Sequence, residues 1–173
     1  KEQRIEGYRT AFRDAAGAGR PDQRFVLATP ADAFAAIAPD RIAFDPARQA
    51  DYDQVIASTV VEGGIDKLCI AWPLHDDAFD DARRDARIER SAHAALAICR
   101  ALTNAKLDRR VQLLFAYPVA DATAPAEYEA IAGLFRAMHL EFPKVRCRAV
   151  GIERSDAGIG RVAALLRTEF GDD

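Results

Sequence analysis

The sequence predicts a three-layer α/β domain, Rossmann-like, with a mostly parallel five-stranded sheet and helices on both faces. Short apolar segments alternate with amphipathic ones five times along the chain, which is typical of this fold class. Val111–Tyr117 is continuously apolar, as expected of a strand that is covered on both faces. Ala130–Glu153 predicts a helix, a proline turn and a strand, which is half of a parallel βαβ unit.

The domain organisation is predicted to be simple. Residues 1–20 form an N-terminal lead-in helix, because Ile5, Tyr8 and Phe12 recur at helical spacing before a glycine-rich stop. Residues 21–173 form a single Rossmann-like domain with no internal boundary. A chain of 173 residues is long enough for one domain with a substantial core.

In the first half of the chain, prolines and glycines separate the predicted elements. Pro30 follows the first apolar run, Pro46 begins a helix, and Gly63 and Gly64 end it. The predicted elements are strand Arg24–Thr29, helix Ala31–Ile37, strand Arg41–Asp45, helix Ala47–Val61 and strand Ile65–Trp72.

In the second half, the clearest helix carries the stripe Ile131, Leu134, Phe135, Met138 and Phe142 and is ended by the proline that follows. The strand order is expected to be 3-2-1-4-5, and the flavodoxin-like order 2-1-3-4-5 stays open. The other predicted elements are the acidic loop Pro73–Asp85, helix Ile88–Leu107, strand Val111–Tyr117, loop Pro118–Pro125, strand Val145–Ile152 and helix Gly158–Phe170.

Composition excludes several classes of partner. The net charge is −3, so there is no excess of basic residues for binding nucleic acid or an acidic membrane surface. No apolar run approaches the roughly 20 residues of a membrane span, and no signal peptide is seen. Cys69, Cys99 and Cys147 lack the spacing of a zinc site or a disulfide framework. Buried, reduced thiols and a cytoplasmic location are therefore expected.

Three segments carry a family resemblance. Lys67–Asp77 (KLCIAWPLHDD), Val111–Val119 (VQLLFAYPV) and Gly133–Glu153 (GLFRAMHLEFPKVRCRAVGIE) resemble the structural subdomain of ketoreductases in modular polyketide synthases. The run Leu140–Lys144 is most similar to synthases that lack an integral acyltransferase. The resemblance extends over about Arg24 to Phe170, and it rests on packing signals rather than on catalytic signatures.

The resemblance implies a non-catalytic scaffold, either the structural subdomain of a ketoreductase or a degenerate pseudo-ketoreductase. Such ketoreductase regions contain two short-chain-dehydrogenase-like folds in series, of which the first is truncated and supports the second. The second binds NADPH and reduces the β-keto group of a chain carried by an acyl carrier protein. The implied partners are an adjoining catalytic subdomain, neighbouring synthase modules and a nearby carrier protein. The implied cofactor, NADPH, belongs to that adjoining subdomain and not to this segment.

The sequence lacks the loop that a nucleotide cofactor needs. A dinucleotide-binding fold places glycines directly after the first strand, so that the backbone can approach the pyrophosphate at a helix N-terminus. Here Pro30–Phe34 (PADAF) follows that strand and contains no glycine. Gly158 and Gly160 form an isolated pair near the end of the chain, where a turn is expected. No cofactor-binding residue is therefore predicted.

The reductase proton-transfer pair is also missing from the sequence. A reductase of this family needs a serine after the central strand and Tyr-x-x-x-Lys on the next helix, where the lysine lowers the pKa of the tyrosine. Pro118, Val119 and Ala120 follow the strand, with no serine. Counted back from Gly133 and Glu141, the position of the family's lysine falls at Tyr128 and that of its tyrosine at Ala124. If Tyr128 is instead taken as the acid, Ala132 replaces the lysine. No catalytic residue is predicted.

Three other groups of residues carry side chains that could form a site. His75 with Asp76 and Asp77 could ligate a metal, and the aspartates up to Asp81 could bind magnesium, but pairing with the following arginines is favoured. No metal site is predicted. Cys69 has no neighbouring base, and the isolated histidines of two helices, His93 and His139, are expected to be structural. Trp72 is expected at the interface between the two subdomains.

Two alternative functions stay open at this point. The chain could be a stand-alone α/β binding module, receiver-like or flavodoxin-like, with an acidic pocket at the carboxyl ends of the strands. It could also be a small-molecule enzyme that uses His75 and the nearby aspartates.

Overall fold

The computed structural model describes residues 7, 10, 11, 24–75, 84–120, 124, 126–153 and 158–171. The described elements alternate between strands and helices along most of the chain. In chain order they are β1 (Leu27–Pro30), β2 (Ala35–Ala38), β3 (Arg41–Phe44), α1 (Gln49–Val61), β4 (Lys67–Ile70), a 3₁₀ turn (Trp72–His75), α2 (Arg84–Ile88), a π-helical turn (Glu89–His93), α3 (Ala94–Asn104), β5 (Val111–Val119), α4 (Ala126–Glu141), β6 (Val145–Glu153) and α5 (Ile159–Glu169).

The strands form two small sheets in the described part of the chain. Sheet A has the order β1-β3-β2, with β1 parallel and β2 antiparallel to β3. Sheet B has the order β4-β5-β6 and is entirely parallel. The α/β class and the parallel sheet are confirmed, whereas the single five-stranded sheet is wrong. The order 3-2-1-4-5 is wrong as well, because the third predicted strand pairs with the fourth. The observed neighbours, first with second and third-fourth-fifth, agree with the alternative order 2-1-3-4-5, although these strands belong to two separate sheets in the described residues.

The predicted helix Ala31–Ile37 is replaced by strand β2. Pro39 and Asp40 form a tight turn that folds β2 back onto β3 as a hairpin, and Ala35 pairs with Ala43. Proline and aspartate are turn formers for separate physical reasons, the first by its fixed φ and the second by its local hydrogen bonds. Pairing with β3 therefore outweighs the helix propensity of this alanine-rich segment.

The two faces of sheet B carry separate cores, as the alternation of side chains along a strand requires. On one face Leu113, Phe115 and Val145 pack with α3 and α4 in the larger core. On the other face Leu114 and Ile152 pack with α5 in a smaller core. The prediction of helices on both faces is confirmed.

The stripe predicted for α4 is largely buried. Ile131, Phe135 and Met138 lie in the core, while Leu134 is half-buried. The helix ends at Glu141, just before Pro143, as expected for a residue that cannot continue the backbone ladder. Phe142 is 40% exposed, since it lies beyond the helix end.

Aromatic packing joins the two sheets. Phe44 at the end of β3 is buried, with its ring centroid 5.1 Å from that of Tyr52 and 5.6 Å from that of Trp72. Tyr52 lies on α1, and Trp72 lies two residues after the end of β4. Sheet A therefore packs against the helical layer and the end of sheet B. Among the described residues, none forms a helix with the length and hydrophobicity needed to cross a membrane.

Candidate functional site at the carboxyl end of the sheet

In open α/β sheets, ligands bind outside the carboxyl ends of the strands. In this chain aromatic rings are stacked near the carboxyl end of β5. Tyr117 of β5 and Tyr128 of α4 are stacked, with centroids 5.2 Å apart and planes inclined by 27°. Tyr128 is fully buried, and the Phe115 ring lies 6.2 Å from it. Burial, and then the charge of Glu129, raise the pKa of Tyr117. The rings thus extend the larger core toward the carboxyl end of β5.

A buried ion pair lies beside these rings. Arg87 of α2 donates from Nε to Oε1 of Glu127 on α4, at 2.8 Å, and the two side chains are only 6% and 7% exposed. Burial alone would raise the pKa of Glu127, but the hydrogen bond and charge of Arg87, helped by the charge of Arg84, outweigh it and lower the pKa. The pair ties α2 to the first turn of α4.

A π-helical turn precedes α3 near this end of the sheet. Glu89–His93 interrupts what the sequence predicts as one continuous helix. Within it, Ser91 is fully buried, and its hydroxyl donates to the carbonyl oxygen of Arg87. The indole Nε1 of Trp72 donates to the carbonyl oxygen of Arg90 at 2.8 Å. These contacts connect the segment after β4 to the helical layer. The location of Trp72 at an interface between two subdomains stays a prediction.

The end of β1 also differs from a nucleotide site. After Pro30 the chain continues into strand β2 rather than into a helix, and the Ala31 amide donates to the carbonyl oxygen of Phe44 at 2.7 Å. Phe34 packs against the larger core. A backbone arranged in this way has no helix N-terminus at the position where a dinucleotide fold binds pyrophosphate.

Several residues considered from the sequence lie partly outside the described region. His75 ends the turn after β4, but its side chain and residues 76–83, which include the four aspartates, are not described. Among the described residues, no group of three or more histidine, cysteine, aspartate or glutamate side chains could hold a metal. His93 and His139 are both exposed on their helices. The metal prediction therefore stays a prediction.

Two of the three cysteines lie on the same side of sheet B. Cys99 of α3 and Cys147 of β6 both belong to the larger core. Cys69 of β4 lies on the opposite face of sheet B, and burial raises its pKa to about 12. This grouping was not evident from the sequence, and it follows because α3 and the odd-numbered positions of β6 both face the larger core.

Comparison with known proteins assigns a family. Residues 8–169 match the family model described as "Beta-ketoacyl synthase-like, N-terminal". The chain belongs to this family. Among curated proteins, none matches the sequence significantly.

Solved structures share the fold. One is a multidomain structure with adenylation, ketoreductase and pseudo Asub parts from a keto acid-selecting NRPS module. It superposes with a TM-score of 0.74 at 16% sequence identity, and the match covers 92% of this chain and 14% of that one. Another is an N-terminal ketoreductase from the macrolactin assembly line, with a TM-score of 0.78 and 15% identity over 96% of this chain and 34% of that one. A third is a short-chain dehydrogenase from Mycobacterium smegmatis: TM-score 0.55, 18% identity, covering 73% and 61%.

The structural likenesses concern the fold, since the identities are low. The resemblance to ketoreductase regions inferred from the sequence is confirmed as a likeness of fold, together with the Rossmann-like class. The chain spans about a third or less of the two assembly-line proteins that it matches.

Proposed function

We propose that this chain is the non-catalytic structural subdomain of a ketoreductase region in a modular polyketide synthase. In this role it supports an adjoining catalytic subdomain, which binds NADPH and reduces a carrier-bound β-ketoacyl chain. The observation that carries the proposal is the burial of Tyr128, whose ring stacks on that of Tyr117 near the carboxyl end of β5, so that the only tyrosine on α4 is part of the core. Its family and its likeness in fold to assembly-line ketoreductases support the same role.

The surroundings of Tyr128 argue against proton transfer in this segment. A catalytic tyrosine must reach the carbonyl oxygen of its substrate and needs a nearby cation to lower its pKa. Tyr128 is fully buried, and Ala132 stands four residues later, where a lysine would be needed. The strand that follows β1 likewise argues against a cofactor site at the start of sheet A.

The scaffold role is mechanical. Strands β5 and β6 pair in register over nine residues each, and the larger core fills the space between them and the helices. In the described sheet, β6 has a paired neighbour on one side only. A long edge strand of this kind can bind another segment through its backbone. We expect the adjoining subdomain to contact this edge or the neighbouring helix α5.

The first experiment determines whether this chain binds a cofactor by itself. NADPH is titrated into the isolated chain and followed by nucleotide fluorescence and by calorimetry, with an active short-chain dehydrogenase as positive control. We expect no saturable binding up to millimolar NADPH. Micromolar affinity would contradict the proposal, as would stabilisation by Mg²⁺ or by a flavin in a thermal melt, which would favour a binding module.

The second experiment tests support of a partner. The coding sequence beyond Asp173 is read, and the catalytic subdomain that the proposal expects there is purified with and without this chain. Reduction of a β-ketoacyl thioester by NADPH is measured for both. We expect activity and solubility only when the chain is present. Equal activity without it, or the absence of a reductase sequence downstream, would contradict the scaffold role.

Two variants separate support from catalysis. Tyr128→Phe keeps the ring stack and removes the hydroxyl, and Tyr117→Phe serves as its matched control. Since neither hydroxyl takes part in the proposed role, both variants should leave kcat of the two-part enzyme unchanged. A large loss of kcat in Tyr128→Phe alone, with unchanged KM and folding, would assign chemistry to this segment.

A further inference from the structure

We propose that the π-helical turn Glu89–His93 is a conformational switch, which Trp72 holds in its π form. When the turn returns to a regular α-helix, Arg87 separates from Glu127. This inference does not depend on the proposed function. It rests on the hydrogen bonds that surround the turn and on the geometry of the helix on either side of it.

The backbone ladder of the helix is shifted within the turn. In a regular α-helix the amide of Ala94 would donate to the carbonyl oxygen of Arg90, four residues earlier. In this chain it donates to the carbonyl oxygens of Glu89 and Ser91 instead. The turn therefore holds one residue more than a regular helix would. Single π turns of this kind occur frequently at functional sites.

Two side chains hold the shifted ladder in place. The indole Nε1 of Trp72 donates to the carbonyl oxygen of Arg90 at 2.8 Å. The buried hydroxyl of Ser91 donates to the carbonyl oxygen of Arg87. In a regular helix both carbonyls would accept from backbone amides four residues later. Because a carbonyl left without a donor inside the fold is costly, the π form depends on these two side chains.

A change of form moves Arg87, because the helix on the other side of the turn is fixed. Helix α3 is anchored in the larger core by a buried face that includes Ile98 and Leu102, whereas α2 has only five residues. Loss of the one-residue offset turns α2 by about 100° and shifts it by about 1.5 Å along the axis. Such a rotation carries Nε of Arg87 away from Oε1 of Glu127, which lies at 2.8 Å in the π form.

The switch connects a half-buried side chain with a buried ion pair. Trp72 lies two residues after the end of β4 and is half-buried, while Arg87 is only 5% exposed. A contact that draws the indole away from the Arg90 carbonyl therefore weakens the tie between α2 and α4.

The test is a set of double variants, measured by urea unfolding and circular dichroism. Trp72→Phe removes the indole N–H and should already separate the ion pair. Glu127→Leu should therefore lower the urea midpoint far less in this background than in the wild-type chain. Tyr52→Phe is the matched control, because Tyr52 packs on the same Phe44 ring and donates to a carbonyl oxygen, that of Pro46, at 3.2 Å. In that background Glu127→Leu should keep its full effect.

Deletion of His93 is a second test. His93 is exposed within the turn, so its removal should give a regular α-helix while α2 and α3 keep their buried faces. The chain should stay folded, and Glu127→Leu should keep its full effect. Replacement of Trp72 by benzothienylalanine keeps the two fused rings and removes the N–H. This replacement should lower the urea midpoint of the wild-type chain but not that of the deletion variant.

Hydrogen exchange follows the turn directly. Trp72→Phe should raise the exchange rates of the amides in Glu89–His93 by about fivefold, the factor that corresponds to one hydrogen bond. The amides of α1 should exchange at unchanged rates.

Three results would overturn the inference. The first is an undiminished effect of Glu127→Leu in Trp72→Phe, and the second is an equal reduction of that effect in Tyr52→Phe. The third is unfolding of the chain by deletion of His93, which would mean that the fold itself needs the extra residue. Where Trp72→Phe fails to fold, the same comparison is made with benzothienylalanine at this position.

Discussion

Removing one partner of the Arg87–Glu127 ion pair should strongly destabilise the chain. The variant Glu127→Leu removes the carboxylate that accepts a hydrogen bond from the Arg87 guanidinium, and Arg87 is only 5% exposed. Breaking a buried pair in this way costs about 3–5 kcal/mol. Domains are stable by about 5–15 kcal/mol in total, so a large fraction of the free energy of unfolding would be lost. The expected fall in Tm is roughly 6–20 °C for a chain of this size.

The assay is urea unfolding followed by fluorescence of Trp72, the only tryptophan in the chain, and by circular dichroism. The double variant Arg87→Met/Glu127→Leu replaces both charges by apolar groups and should recover most of the lost stability, because no charge then remains buried. A matched surface control is Arg148→Met. This variant breaks the ion pair between Arg148 and Glu169, whose side chains are 60% and 38% exposed respectively. It should lower the free energy of unfolding by at most about 1 kcal/mol.

Two outcomes would refute the reasoning. The first is a loss below about 1 kcal/mol in Glu127→Leu, the size of a surface pair. The second is a double variant as unstable as the sum of the two single variants, which would mean that the two side chains do not interact.

The remaining predictions concern acidity, core packing and glycine. Because the pKa of Glu127 is lowered in the folded chain, the stability that its carboxylate contributes is complete above the unfolded pKa of about 4.3. This stability is lost as the pH falls through the folded pKa. The urea midpoint should therefore decline below about pH 5, and it should decline less in the variant Glu127→Gln. Phe135→Ala should cost about 3–5 kcal/mol in urea unfolding, whereas Phe142→Ala, at a residue 40% exposed, should cost far less. Gly133→Ala should raise Tm by removing a helical glycine worth about 0.5–1 kcal/mol, because a Cβ there meets nothing within 4 Å. Gly151→Ala should lower Tm, since its Cβ would come within 2.9 Å of a β5 side chain. Equal Tm changes for the two glycines would contradict the packing argument.

The spacing of apolar residues predicted elements correctly where burial of one face decides the local structure. The helix over Ile131 and Phe135 followed from its apolar stripe and the proline after it, and both strands that flank it were correctly located. The segment at Ala35–Ala38 was assigned to the wrong element type because alanine favours helices, while pairing with β3 decides its conformation. The order of the strands could not be inferred from local sequence patterns, because it depends on which strands pair in the folded chain.

The candidate site was predictable mainly through residues that the sequence lacks. The sequence shows directly that no glycine follows β1, and that Ala124 and Ala132 lie where a catalytic tyrosine or lysine would be needed. The Arg87–Glu127 contact could not, because the partners stand forty residues apart on different helices. The stacking of Tyr117 on Tyr128 was likewise hidden, since it requires the end of β5 to meet the start of α4.

The division of sheet B into two cores has a consequence for local opening of the native state. Helix α5 is attached through the smaller core, by Val162, Leu166 and Phe170 together with the ring contact of Lys67. Helices α3 and α4 are embedded in the larger one. Free energies of local opening vary with the amount of apolar surface that each unit buries. Backbone amides of α5 should therefore exchange with solvent deuterium when α5 alone opens, at a lower free energy of opening. Amides of α3 should exchange only when the whole domain unfolds.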